Sequence, residues 1–190
     1  FNNQVIPSDG LTWKIELKKD VRWQDGKPFT AADVEYTYQE IINPKNAVRF
    51  RTGFDRIEEF RIQDDYNFEL KLKAPFVPLH WSWEEMHIIP KHVLSKYPDI
   101  SKAPWNNEGT FGTGPYKLVK RVAGSHMVYK ANPDYHRGEP KIKTFIHKFV
   151  PEQQILYTQL KTGEIDVMGT AGVPKERFEE AKALPNVDIL

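Results

Sequence analysis

Seven residues, Gly112-Thr113-Gly114-Pro115-Tyr116-Lys117-Leu118, constrain this chain more than any other stretch, because the local character changes across them. Two glycines in three residues open backbone angles closed to other residues, and Pro115 then fixes one angle as the chain enters an alternating pattern. The spacing predicts a crossover between two modules, with a strand over 116–121. A phosphate-cradling loop would be followed by a Lys-Ser/Thr pair and a helix. Here a strand follows, which argues against phosphate.

Upstream of the crossover the pattern is mostly of period two. Leu11, Trp13, Ile15 and Leu17 alternate with polar residues, the signature of a half-buried strand. Val21 and Trp23 extend it to the turn dipeptide Asp25-Gly26. Thr30 followed three residues later by Asp33 is a short-armed capping box, so a helix is expected to about Ile42 with Val34, Tyr38 and Ile41 or Ile42 inward. Asn43-Pro44 ends it, because the residue before proline disfavours helical angles. Residues 57–62 and 67–72 predict two antiparallel strands around the turn 63–66. Between helix and strands lies Arg49-Phe50-Arg51-Thr52-Gly53-Phe54, a basic and aromatic loop. It either faces a ligand or tucks its aromatics back onto the module, the plainer reading. Trp81 and Trp83 either line a pocket or pack.

Downstream, 116–121 and 124–131 predict a hairpin, and 144–150 a further strand. Gly124-Ser125-His126-Met127 matches a common cloning scar, yet it sits inside the strand pattern. Leu156 and Leu160 at helical spacing predict a helix over 153–162 that stops at Gly163. A short apolar strand over 165–168 and a helix over 174–183 follow. The alternation suggests a partly parallel α/β layer.

Charge and chemistry narrow the function. Twenty-seven basic against twenty-six acidic residues leave a net charge of +1, without the excess of a nucleic-acid binder. No apolar run approaches the roughly 20 residues of a membrane-spanning helix. The absence of cysteine excludes disulfides, zinc–thiolate sites and thiol catalysis and leaves the compartment open. The acid pairs Glu58-Glu59, Glu84-Glu85 and Glu179-Glu180 point apart on strand or helix and do not make a glycosidase pair. His80, His87 and His92 lack the HExxH spacing, and no Gly-x-Ser-x-Gly turn is present. These residues read as a non-enzymatic, two-module segment with no metal and no cofactor. The run stops in an apolar, strand-like stretch at Leu190, as expected of a piece of a longer chain.

The run DGLTWKIELKKDVRWQDGKPFTAADVEYTY, residues 9–38, resembles the signature region of the bacterial extracellular solute-binding proteins, family 5. IIPKHV (88–93), GTGPYKL (112–118), ANPDYHRGEPKIKTF (131–145) and LKTGEIDVM (160–168) follow in the order found in dipeptide- and oligopeptide-binding members. The resemblance implies a mixed α/β (α+β) fold, part of a cluster C periplasmic binding protein. Residues 1–111 then correspond to β-rich domain II and 112–190 to the middle of α/β domain I, with domain III absent.

It also implies capture of an extracytoplasmic solute, most often a peptide, for the permease subunits of an ABC importer. Nickel chelates, opines and oligosaccharides are the other solutes of such proteins; a stand-alone β-rich interaction domain is the reading from another class. A periplasmic or extracellular location, lipid-anchored in the longer protein, goes with it. Gly112, Thr113, Gly114 and Pro115 would form a hinge. Met168, Gly169, Thr170, Ala171 and Gly172 would reach the solute from one module, and Arg49, Phe50 and Phe54 from the other. A domain I piece without its terminal partners exposes strand edges, which predicts self-association and weak binding by these 190 residues alone.

Overall fold

A computed structural model describes residues 3–5, 9–49, 51–107, 109–169, 172–185 and 187–188. In chain order its elements are β1 (Asn3–Val5), β2 (Thr12–Glu16), α1 (Ala31–Ile42), β3 (Ile57–Ile62), β4 (Asn67–Leu72), α2 (Leu79–Glu85), α3 (Lys91–Leu94), β5 (Tyr116–Val122), β6 (His126–Ala131), β7 (Thr144–Lys148), α4 (Gln153–Thr162) and α5 (Phe178–Lys182).

β2 and β4 form the centre of a four-stranded antiparallel sheet of order β1-β2-β4-β3. Alternation decides the pairing: Trp13 lies opposite Leu70 and Ile15 opposite Phe68, so each strand's apolar side chains share one face. On β3 the period breaks. Ile57 sits opposite Leu72 and Phe60 opposite Leu70, with a bulge between Ile57 and Glu59 absorbing the extra residue. That bulge puts Ile57 and Phe60, three apart in sequence, on the same face.

α1 covers this face. Thr30 and Asp33 cap its first turn reciprocally, and Val34 and Ile41 reach a core made by Trp13, Ile15, Leu17, Phe54, Phe68, Leu70, Leu72 and Leu79. Tyr38, Phe60 and Phe68 stack in series at 5.6 and 4.9 Å. Each fully buried side chain here contributes roughly 1.5–3 kcal/mol. Tyr36, on another side of α1, packs with Leu94 and Ala103 in a second, smaller cluster.

The chain condenses into two units, Phe1–Leu118 with Tyr129–Phe145, and Val119–Val128 with Ile146–Leu190. The sequence places a boundary between Phe111 and Gly112; by compactness the first unit continues to Leu118 and takes back 129–145. β5, β6 and β7 form a three-stranded sheet in that order, each strand having residues in both units. Ala131 N–H donates to Lys143 O at 2.9 Å and Phe149 N–H to Ser125 O at 2.8 Å. The pairings run in opposite sequence directions, so β7 is antiparallel to β6, and a three-residue turn makes β5 antiparallel to β6. The expected partly parallel layer is therefore not found among the described residues. Residues 165–168 form no strand either, since no described strand offers them a ladder.

In the second unit α4 ends where sequence predicts. Gly163 adopts φ 73°, its N–H donates to Leu160 O, and Glu164 N–H donates to Gln159 O, the two bonds of a left-handed helix terminator. Tyr157 is the buried side chain of α4. Lys161 pairs with Glu180 of α5, and that hydrogen bond holds the Glu180 carboxyl below the ordinary carboxylate range. The expected helix over 174–183 is a 3-10 turn, Lys175–Arg177, leading into the short α5.

Candidate functional site

The loop 49–54 divides between surface and core. Arg49 is exposed, and Phe50 lies outside the described residues. Phe54 is fully buried, its ring edge-on to Trp83 at 4.8 Å. Core packing thus takes Phe54, which corrects its expected place on a solute-facing rim. Arg51 donates to Ile41 O at 2.7 Å and Asn43 O at 2.9 Å, and also to Asn46 O. A cation on carbonyls at and just beyond the end of α1 complements the helix dipole, so Arg51 is a structural cap. Gly53, at φ 91°, is in the left-handed region, and a Cβ there would lie 3.0 Å from Phe76 Cε1 and Ser82 Oγ, so any side chain would be strained and would push on both.

The two tryptophans at period two separate because the segment is helical. In α2, residues two apart face nearly opposite sides, so Trp83 plugs the core while Trp81 is 65% exposed.

On the second unit, Met168 and Gly172 are half-buried and Gly169 is exposed; Thr170 and Ala171 lie outside the described residues. Gly172 N–H donates to Gly169 O at 3.0 Å, and Gln153 Nε2 donates to Gly172 O at 3.1 Å. The first turn of α4 thereby holds Gly172. The structure describes Arg49 in one unit and Met168, Gly169 and Gly172 in the other.

The segment expected to act as a hinge is closely bonded within the first unit. Gln24 N–H donates to Gly112 O at 2.9 Å, and Gln24 Nε2 donates to Gly114 O at 3.0 Å and Tyr116 O at 2.8 Å. Asn132, 2% exposed, donates its N–H to Pro115 O at 2.8 Å and its Nδ2 to Gly114 O at 3.2 Å. Neither Gly112 nor Gly114 has a positive φ, and a Cβ on either would meet nothing closer than 3.9 Å. The glycine freedom that the sequence suggests is therefore not used here.

A buried carboxylate organises the region around α1. Asp33 Oδ2 accepts from Trp23 Nε1 at 3.1 Å and from Thr30 N–H at 3.0 Å, and Oδ1 accepts from Lys91 N–H at 3.0 Å. Thr37 Oγ1 accepts from Ile89 N–H at 3.0 Å, so the 89–91 segment docks through two side chains of one helix. Burial and then the Glu40 carboxylate push the Tyr36 hydroxyl up to about 12.

Two of the three acid pairs are engaged at the surface. Glu58 pairs with Lys71, Glu59 with Arg61, and Glu179 with Lys182. His92 Nε2 meets Asp25 Oδ2 at 2.7 Å. Among the described residues no three His, Asp or Glu side chains gather as a metal site would need. Sequence pattern missed Gln24, Arg51 and Asn132; Gln24 and Asn132 act across long sequence separations, where periodicity carries no signal.

Comparison with known proteins agrees with this architecture. Residues 4–189 match the profile of the bacterial extracellular solute-binding proteins, family 5 Middle. The chain is 27% identical to the oligopeptide-binding protein AppA of Bacillus subtilis over 184 residues, 95% of this chain and 33% of that protein. The AppA structure in complex with a nonapeptide superimposes with a TM-score of 0.92 at 26% identity, covering all of this chain and 38% of that one. NikZ of Campylobacter jejuni, in complex with Ni(L-His), gives a TM-score of 0.78 at 30% identity over 86% of this chain and 32% of that one. The chain spans about a third of the length of the curated relatives it matches. Its motif order, its mixed helix-and-sheet fold and a family match over almost every residue place the chain among the bacterial extracellular solute-binding proteins, family 5.

Proposed function

We propose that this chain is part of the solute-binding component of an ABC import system, working outside the cytoplasm and handing a peptide to membrane permease subunits. The observation that carries this reading is the superposition of the whole chain on a protein holding a nonapeptide. No catalytic step is assigned to it. Of the adjacent acids, Glu58, Glu59, Glu179 and Glu180 take part in surface ion pairs with lysine or arginine. A second reading, capture of a metal chelate, is favoured by the likeness to the Ni(L-His) complex.

On this reading the 168–172 loop supplies backbone amides and one hydroxyl, which suit a peptide main chain better than a charged headgroup. Of the residues expected to contact solute from the 49–54 loop, Arg49 is exposed and stays a candidate contact. Arg49→Ala in the full-length protein should weaken peptide affinity severalfold without lowering the melting temperature. Unchanged affinity, measured by calorimetry, would leave the loop a purely structural connection. The 190 residues alone should bind peptide far more weakly than the full-length protein, because one wall leaves polar contacts competing with water. Titrating the nonapeptide class, Ni(L-His) and an opine into the full-length protein distinguishes the readings.

A further inference from the structure

We propose that Gln24 and Asn132 form a two-sided amide clamp that makes the 112–117 crossover a fixed joint, not a swinging hinge. Backbone hydrogen-bonding groups at a chain crossing must be satisfied, and a free hinge leaves them to water. Here they are claimed by two side chains and their own backbones. From one side Gln24 takes the Gly114 and Tyr116 carbonyls with one amide nitrogen, while its Oε1 accepts from Gly112 N–H at 3.3 Å. The main chain of Gln24 adds a bond to Gly112 O, and Lys117 Nζ returns one to Gln24 O at 3.3 Å. From the other side Asn132 takes Pro115 O and shares Gly114 O.

The residue chemistry fits this role and few others. A carboxamide carries donor and acceptor together, so Gln24 can read an N–H and two carbonyls in one stretch. A carboxylate would repel both carbonyls; an apolar side chain would satisfy none. Asn132 is buried, and Trp23, next to Gln24, is buried against Asp33, so both clamping residues stand on rigid supports. Because Gly112 and Gly114 use no left-handed angle and crowd nothing, the amides set the shape of the joint.

Hydrogen exchange on the full-length protein tests the clamp. The wild-type amides of Gln24, Gly112 and Asn132 are expected to exchange slowly, well below the rate of an open loop. Gln24→Met, which keeps the shape of the side chain and removes its bonds, should speed exchange across 112–117 on the order of tenfold, the factor that about 1.4 kcal/mol represents. Asn132→Ala should do the same, with β2 and β4 still protected. Gly114→Ala should leave exchange unchanged. Open-loop exchange at Gly112 in the wild type would overturn the proposal whether or not the variants fold. So would a Gln24→Met protein in which 112–117 stays protected, or a Gly114→Ala protein in which it opens.

Discussion

At the scale of single residues, stability rests on a few polar side chains that gather distant pieces of backbone. Asp33 is 4% exposed and accepts from an indole, a helix cap and the start of α3. Asp33→Ala leaves three donors unpaired in a dry site, and we expect a loss of about 3 kcal/mol. Asp33→Asn should fall between, since an amide can accept on one side only and turns its own donors toward the others. Denaturant midpoints measure both, and a loss under about 1 kcal/mol for alanine would contradict this role. Tyr36 gives a pH test. Unfolded, its hydroxyl ionises near 10, but in the fold it holds its proton to about 12. The folded state therefore binds more protons between those values, and this contribution is full below pH 10 and lost as pH rises toward 12. Tyr36→Phe should flatten the alkaline fall in stability, and phenolate absorbance should lack one late-titrating group. Thr30 and Asp33 are legible in the sequence as a cap because their spacing is local. The bonds of Asp33 to Trp23 and Lys91 are not, for they depend on how the chain returns.

At the scale of elements, periodicity is readable wherever a segment buries one regular face. Alternation locates β2 and β4, and Leu156 with Leu160 locates α4, whose end at Gly163 follows from the need for a left-handed residue. Gly163→Ala should cost about 1 kcal/mol, because any side chain resists φ 73°. A thermal melt showing no loss would mean that the terminator is not needed for folding. Reading fails where the pattern is irregular or lacks a partner. The bulge in β3 hides behind a spacing of three between Ile57 and Phe60. The pair Trp81 and Trp83 looks alike in sequence but lies on a helix that sends one ring in and one out. Residues 165–168 have the composition of a strand, yet a strand exists only with a ladder to join.

At the scale of the whole molecule, the order of five motifs along the chain carries the family, and the fold agrees with it. Compactness draws its boundary elsewhere than the Gly112 crossover, and Gln24 and Asn132 bond that crossover from positions distant in sequence. On the proposed function, these residues belong to a protein that captures peptide. Calorimetric titration of a nonapeptide into the full-length protein, with Ni(L-His) as the parallel arm, tests it most directly. The account predicts saturable, one-to-one peptide binding and no heat from the chelate; tight chelate binding with no response to peptide would contradict it.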